Sequence, residues 1–184
     1  MLALGTVMPA FELPDFDGRW ISSSKSDVAS GTLVMFLCPH CPFVRHTRIE
    51  IGRVGRDFQS RGLAVYGINP NDTVAFPQDG REGMKQEAAI AGYSFPYLRD
   101  ETQAVATLYK AACTPEFYLF DAERKLVYRG QLDSSRPGNA IPVTGLDLRT
   151  AVDAVLAGRT PSLDQRPSVG CSIKWKPGNE PNYF

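Results

Sequence analysis

Cys38-Pro39-His40-Cys41 is the stretch of this sequence best equipped for chemistry. Two thiols three residues apart lie one helical turn from each other, near enough to close a small disulfide ring or to share a metal ion. An apolar run, Leu33 to Leu37, precedes them, and apolar-face residues at 3-4-3-4 spacing follow: Val44, Thr47, Ile51, Val54 and Phe58. Cys38 is therefore expected where a buried strand ends and a helix begins. Unpaired N–H groups and the positive end of the helix dipole meet there. A thiolate at that point is stabilised, which predicts Cys38 as the low-pKa, nucleophilic member. Pro39 suits the first helical position, His40 adds positive charge beside the sulfur, and Pro42 is expected to distort the first turn.

Three chemistries compete for the pair. C-x-x-C near a βαβ pattern is the signature of a dithiol redox site. A metal reading joins Cys38 and Cys41 to His46, with Cys113 or Cys171 added, but the sequence lacks a second C-x-x-C or H-x-H pair to close a structural zinc site. The plain reading is two small buried hydrophobes. Haem attachment in its usual form is excluded, because Pro42 and not His follows Cys41. Cys113 and Cys171 also have a plain reading as buried residues; the sharper one folds the tail back so that Cys171 pairs transiently with Cys113. Thr114-Pro115 stands at the entrance of an apolar run, a place where proline is permitted. No phosphate loop, paired catalytic carboxylates or Ser-His arrangement stands out.

The elements that must position these residues follow from pattern. Thr6 to Lys25 reads as a hairpin turning at Asp17-Gly18. Leu33–Leu37 and Leu63–Ile68 read as strands buried on both faces. A helix after Cys41 is weakened by Gly52 and Gly55, about 1 kcal/mol each relative to Ala. Met84–Ala91 is a helix stopped by Gly92, and Phe95–Leu98 is extended. Asp100 with Gln103 resembles a capping box opening a helix to about Ala111. Phe117–Phe120 and Leu126–Tyr128 flank a polar turn, and Leu146–Leu156 is a helix with Gly158 past its end. The tail from Pro161 shows no clear period. Early strand–helix alternation implies parallel pairing, and the late hairpin adds antiparallel strands.

Bulk properties narrow the function. A chain of 184 residues is long enough for one domain without disulfide staples. Its 20 basic and 20 acidic residues cancel, and no Lys/Arg cluster marks a nucleic-acid or anionic-membrane surface. No apolar run approaches membrane-spanning length, and the first residues lack a signal-peptide pattern, so a cytoplasmic protein is expected. In a reducing compartment four cysteines are more often catalytic, metal-binding or buried than stapled.

A buried strand, C-x-x-C, a long helix, further βα units, then Thr-Pro opening a hairpin: this order resembles the thioredoxin superfamily. The segments MPAFELPDFDG and PEFYLFDAERKLVYRG resemble the AhpC/TSA branch, shared by peroxiredoxins and membrane-anchored thiol–disulfide reductases. The tail VGCSIKWKPGNEPNYF is similar to that of a bacterial group of thioredoxin-like proteins. The resemblance implies an α/β thioredoxin-like fold: a central mixed β-sheet flanked by helices, an N-terminal β-hairpin and an irregular C-terminal tail. Residues 1–160 would form the domain, with 161–184 packed on it.

By the same resemblance Cys38 is the attacking thiol and Cys41 the resolving thiol, with Pro39 and His40 in support. Thr114 and a cis Pro115 form the wall on which a substrate's extended backbone lies, and Cys113 and Cys171 are secondary redox candidates. No organic cofactor is implied. Partners would be protein or small-molecule disulfides and a thioredoxin or glutathione reductant.

Departures from the family patterns accompany this. Leu37 replaces the usual Trp. Thr32 and Val44 stand where buried acids serve the second thiol, and Glu116 is a weak substitute, read most simply as a solvent-facing strand charge. The Pro-His dipeptide is that of the periplasmic disulfide oxidant, which implies a potential between that protein's and thioredoxin's. At the oxidant's value the gap to the cytosolic glutathione poise would be about 100 mV or more, roughly 5 kcal/mol toward the dithiol. A peroxidase is the alternative activity. Neither cysteine carries the P-x-x-x-T-x-x-C support, because Met35 and Gly31 precede Cys38 at those spacings and Arg45 supplies charge alone.

Overall fold

The computed structural model describes residues 2–25 and 30–183; Met1, residues 26–29 and Phe184 lie outside it. In chain order the strands and α-helices are β1 (Glu12–Pro14), β2 (Trp20–Ser22), β3 (Thr32–Phe36), α1 (Pro42–Gln59), β4 (Ala64–Asn69), α2 (Arg81–Ala91) and β5 (Tyr97–Arg99). There follow α3 (Ala104–Leu108), β6 (Cys113–Thr114), β7 (Glu116–Phe120), β8 (Leu126–Gly130), α4 (Leu146–Leu156) and β9 (Cys171–Ser172). The five-stranded central sheet has the order β5-β4-β3-β7-β8. β3 pairs in parallel with β4 and β4 with β5, whereas β7 and β8 run antiparallel. This is the mixed sheet of a thioredoxin-like α/β fold, with β3 in the middle.

Burial explains the central place of β3. All five of its residues are buried, as expected of a strand covered on both faces. Leu33 and Met35 join one core cluster with Val44, Ile51, Val54 and Phe58 of α1 and with Leu148 and Val152 of α4. Val34 and Phe36 join the other, with Phe11, Tyr109, Tyr118 and Ile173 of the tail. The hairpin forms as the Asp17-Gly18 turn predicts, with Leu13 opposite Ile21.

Two local expectations change. The Asp100 capping box does not form. Gln103 itself caps α3 in a left-handed conformation (φ 63°), and α3 is five residues long. The Asp100 carboxylate instead accepts the Ala106 N–H at 2.8 Å. Gly52 and Gly55 prove to be contact residues as well as weak helix formers. A Cβ on Gly52 would lie 2.0 Å from the Ala91 carbonyl, and one on Gly55 would lie 2.5 Å from the Phe95 ring. Their bareness lets α1 lie against the end of α2. Among the described residues no helix is long and apolar enough to cross a membrane.

Candidate active site

The first turn of α1 starts later than the spacing predicts. Cys41 is the N-cap and Pro42 the first helical residue, so Pro42 takes the position where a missing N–H costs nothing. Pro39 and His40 belong to the turn that joins β3 to the helix. Both sulfurs are enclosed, with Cys38 1% exposed and Cys41 fully buried.

Thr114 is the hub of the site. Its hydroxyl lies 3.1 Å from the Cys38 sulfur. Its carbonyl lies 3.1 Å from the Cys41 sulfur and accepts from that thiol when Cys41 is protonated. The Thr114–Pro115 peptide is cis. All four cysteines are unpaired thiols in this structure.

The hydrogen bond between the two thiols couples their titration. Cys41 is pulled down to about 4, first by the hydrogen bond from the Cys38 thiol, then by backbone and side-chain donors from Val44 and Cys171. Cys38 is pushed up, chiefly because it donates to Cys41, with burial and the negative Asp79 adding to the effect. The two titrate as a pair, so the first proton lost belongs to both. Cys41 is the N-cap of α1, at the positive end of the helix dipole, although its side chain makes no cap hydrogen bond.

His40 lies beside the Cys38 sulfur, with a ring nitrogen within 4.8 Å of it, and directs its hydrogen bonds to Asp79. Its backbone N–H and Nδ1 meet the two oxygens of Asp79 at 3.0 and 2.5 Å, and its ring stacks on Phe76. Asp79 is fully buried and also accepts from Asn71 Nδ2 at 2.8 Å. Sequence reasoning missed Asp79, which sits in a turn far along the chain and shows no motif. Glu116 is buried, contrary to the solvent-facing reading, and accepts the Ala112 N–H at 2.8 Å. Burial raises its pKa. It braces the loop before β7.

The sulfurs meet the tail as well. β9 pairs antiparallel with β6, setting Cys171 opposite Thr114 and Ser172 opposite Cys113. A Cβ on Gly170 would fall 2.1 Å from the Thr114 carbonyl oxygen, so the tail passes flat against that backbone. The wall expected to receive a substrate strand is thus lined by the protein's own tail. Cys171 thereby comes beside Cys41, whose sulfur lies 3.1 Å from the Thr114 carbonyl. Cys113 does not hold that place, and its thiol turns toward the Pro115 carbonyl.

The metal trio of Cys38, Cys41 and His46 does not assemble. His46 is exposed on α1 and bonds Ser135 at 2.8 Å. The metal-type cluster among the described residues is Cys38, His40 and Asp79. Its His and Asp are already bonded to each other, which makes it a poor cation cage.

Residues 4–129 match the AhpC/TSA family. The chain belongs to the AhpC/TSA family. That membership supports a redox role in general terms. Among solved structures, a hypothetical protein of Sinorhizobium meliloti 1021 is 47% identical with a TM-score of 0.94 over 97% of each chain. A conserved protein of Geobacillus kaustophilus is 50% identical with a TM-score of 0.93, covering 97% of this chain and 95% of that one. The thioredoxin domain of a thiol-disulfide oxidoreductase from Bacteroides vulgatus is 23% identical with a TM-score of 0.59, over 70% of this chain and 89% of that one. At that identity the likeness is one of fold. No curated protein matches the chain.

Proposed function

We propose that this AhpC/TSA protein is a thiol–disulfide oxidoreductase that cycles Cys38 and Cys41 between dithiol and disulfide. The observation that carries the reading is the placement of both sulfurs on one residue, Thr114 of β6. A thiolate near pH 7 is supported by the donors around Cys41. In the exchange a sulfur of the pair attacks a substrate disulfide, a mixed disulfide forms, and the neighbouring sulfur displaces the product. The reaction needs no organic cofactor, and its electrons pass to or from a second thiol system, such as thioredoxin or glutathione, in the cytoplasm.

A stabilised thiolate favours the reduced state, which raises the potential above that of an ordinary dithiol. The proposed value lies between roughly −270 mV and −120 mV, the thioredoxin and periplasmic-oxidant limits. Direct peroxide reduction is the second reading. Thr114 brings a hydroxyl to Cys38, but the Arg45 side chain is spent on the Pro39 carbonyl at 2.9 Å.

A titration in graded glutathione buffers, with mass mapping of each cysteine, tests the proposal. Cys38 and Cys41 should oxidise together as one two-electron couple. If they never pair, the oxidoreductase reading is lost. Rapid peroxide consumption by the reduced protein would move the activity to the second reading.

A further inference from the structure

Three of the four cysteines gather on Thr114, and they differ in access. Cys38 and Cys41 are 1% and 0% exposed, whereas Cys171 is only partly buried. The tail that carries Cys171 is held down on both sides. Gly170 presses on the Thr114 carbonyl. The Ile173 N–H donates to the Ala112 carbonyl at 3.1 Å, and the Lys174 carbonyl accepts from Asp72 N and Gln103 Nε2 at 2.8 and 2.9 Å. At this burial Cys38 is closed to a bulky disulfide, whereas Cys171 keeps part of its surface open and sits opposite Thr114, whose carbonyl lies 3.1 Å from the Cys41 sulfur.

We propose that Cys171 is a third redox thiol of the site, the sulfur at which external disulfides exchange before the oxidising equivalent passes through Cys41 to the buried Cys38–Cys41 bond. This rests on the thiol–disulfide reading above. The steps balance without a further reactant. Cys171 loses its proton to water and attacks the external disulfide, releasing one thiolate, which takes a proton from water. The Cys41 thiolate then attacks the Cys171 sulfur, forming a Cys41–Cys171 bond and expelling the second thiolate. Cys38 then attacks the Cys41 sulfur, and its proton goes to the departing Cys171. One external disulfide becomes two thiols, counting the one that leaves as thiolate, and the protein gains the Cys38–Cys41 disulfide. Reduction by an external dithiol runs the same steps backward.

The Cys171 thiol is raised to about 11 by burial and by its bond to Cys41. Its thiolate fraction is therefore small near pH 7, and its exchange with an external disulfide should quicken as pH rises toward that value.

The probe is oxidised glutathione on the full chain. Cys38→Ser should accumulate an intramolecular 41–171 disulfide by mass mapping after acid quench. Cys171→Ser should still form the 38–41 disulfide, at least tenfold more slowly than wild type. Circular dichroism and a thermal melt check that both variants fold. If Cys171→Ser fails that check, acid-quenched wild type decides in its place, and its first glutathione adduct should be on Cys171.

A Cys38→Ser protein with no 41–171 bond overturns the relay. So does a Cys171→Ser protein that oxidises as fast as wild type, or a first adduct on Cys38. In each of these cases a wild-type 38–41 couple leaves the oxidoreductase reading standing. A wild type that never forms 38–41 brings down both.

Discussion

Gly170 and Thr114 are in backbone contact: a Cβ on the glycine would overlap the threonine carbonyl oxygen at 2.1 Å. The contact seats the tail against Thr114, whose hydroxyl and carbonyl meet the two buried sulfurs. Gly170→Val should lift that stretch. Overpacking of this kind costs about 1–3 kcal/mol. The diagnostic readout is alkylation: Cys38 and Cys41 should react with iodoacetamide at least several-fold faster than in wild type. A variant that melts lower with no gain in labelling would show that the tail is not what shields them.

The Cys41 thiolate makes an acid-side prediction for the reduced protein. Its native value of about 4 lies below the ordinary thiol value of 9.0, so the unfolded chain binds more protons between those limits. Stability from this group therefore rises with pH from about 4 to 9 and is lost as pH falls through about 4. Cys38 has the opposite sign: its native pKa is raised, so its contribution declines above the ordinary thiol range. Thiolate absorbance near 240 nm, followed against pH in wild type and Cys41→Ser, checks this. Loss of the low-pH step in Cys41→Ser is the expected result, and its persistence would return the charge to Cys38.

Asp79 should tune Cys38 through space. Asp79→Asn removes a buried negative charge that raises the Cys38 pKa and weakens the hold on His40. The Cys38 alkylation profile should shift to lower pH. Stability should fall by about 1–3 kcal/mol, the usual cost of disturbing a buried charged hydrogen bond. A lower melting temperature with an unmoved pH profile would leave Asp79 a merely structural role.

Thr114→Val keeps shape but removes the hydroxyl beside Cys38. A hydrogen bond of this kind is worth about 1 kcal/mol, roughly fivefold in an equilibrium. The loss should raise the Cys38 pKa further and slow its alkylation at pH 7 by about that factor. An unchanged rate would mean the hydroxyl does not serve the sulfur.

Gly52→Ala separates propensity from packing. In an isolated helix the change is worth about 1 kcal/mol in favour of alanine. Here the new methyl would meet the Ala91 carbonyl at 2.0 Å. Denaturant unfolding should show a net loss of about 1–3 kcal/mol, because close-packed backbone has little room to give. A stabilised variant would show that α1 and α2 part easily.

Local signals made much of this legible in the chain alone. Unbroken apolar runs marked β3, β4 and β7, the 3.6-residue period marked α1, and Asp17-Gly18 marked the hairpin turn. Leu146–Leu156 is the predicted helix residue for residue. The strand–C-x-x-C–helix order brought Cys38 and Cys41 together, because three residues of chain cannot separate them. One signal in the tail was readable and overlooked. Val169, Cys171, Ile173 and Trp175 alternate with Gly170, Ser172, Lys174 and Lys176, the period of a strand.

Other features were decided only in three dimensions. The helix starts at Pro42 and not Pro39, which moves the N-cap from Cys38 to Cys41. Pro39 reads in the sequence as the first helical residue and Pro42 as a distortion of the first turn, and Pro42 takes the first position instead. Asp79 reaches His40 across 39 residues, and Cys171 reaches Thr114 across the sheet edge. A chain's spacing reports neighbours within a turn or along a strand. The charge on a buried sulfur depends on every donor and carboxylate that the fold brings within a few ångströms, and those arrive from segments with no local reason to meet.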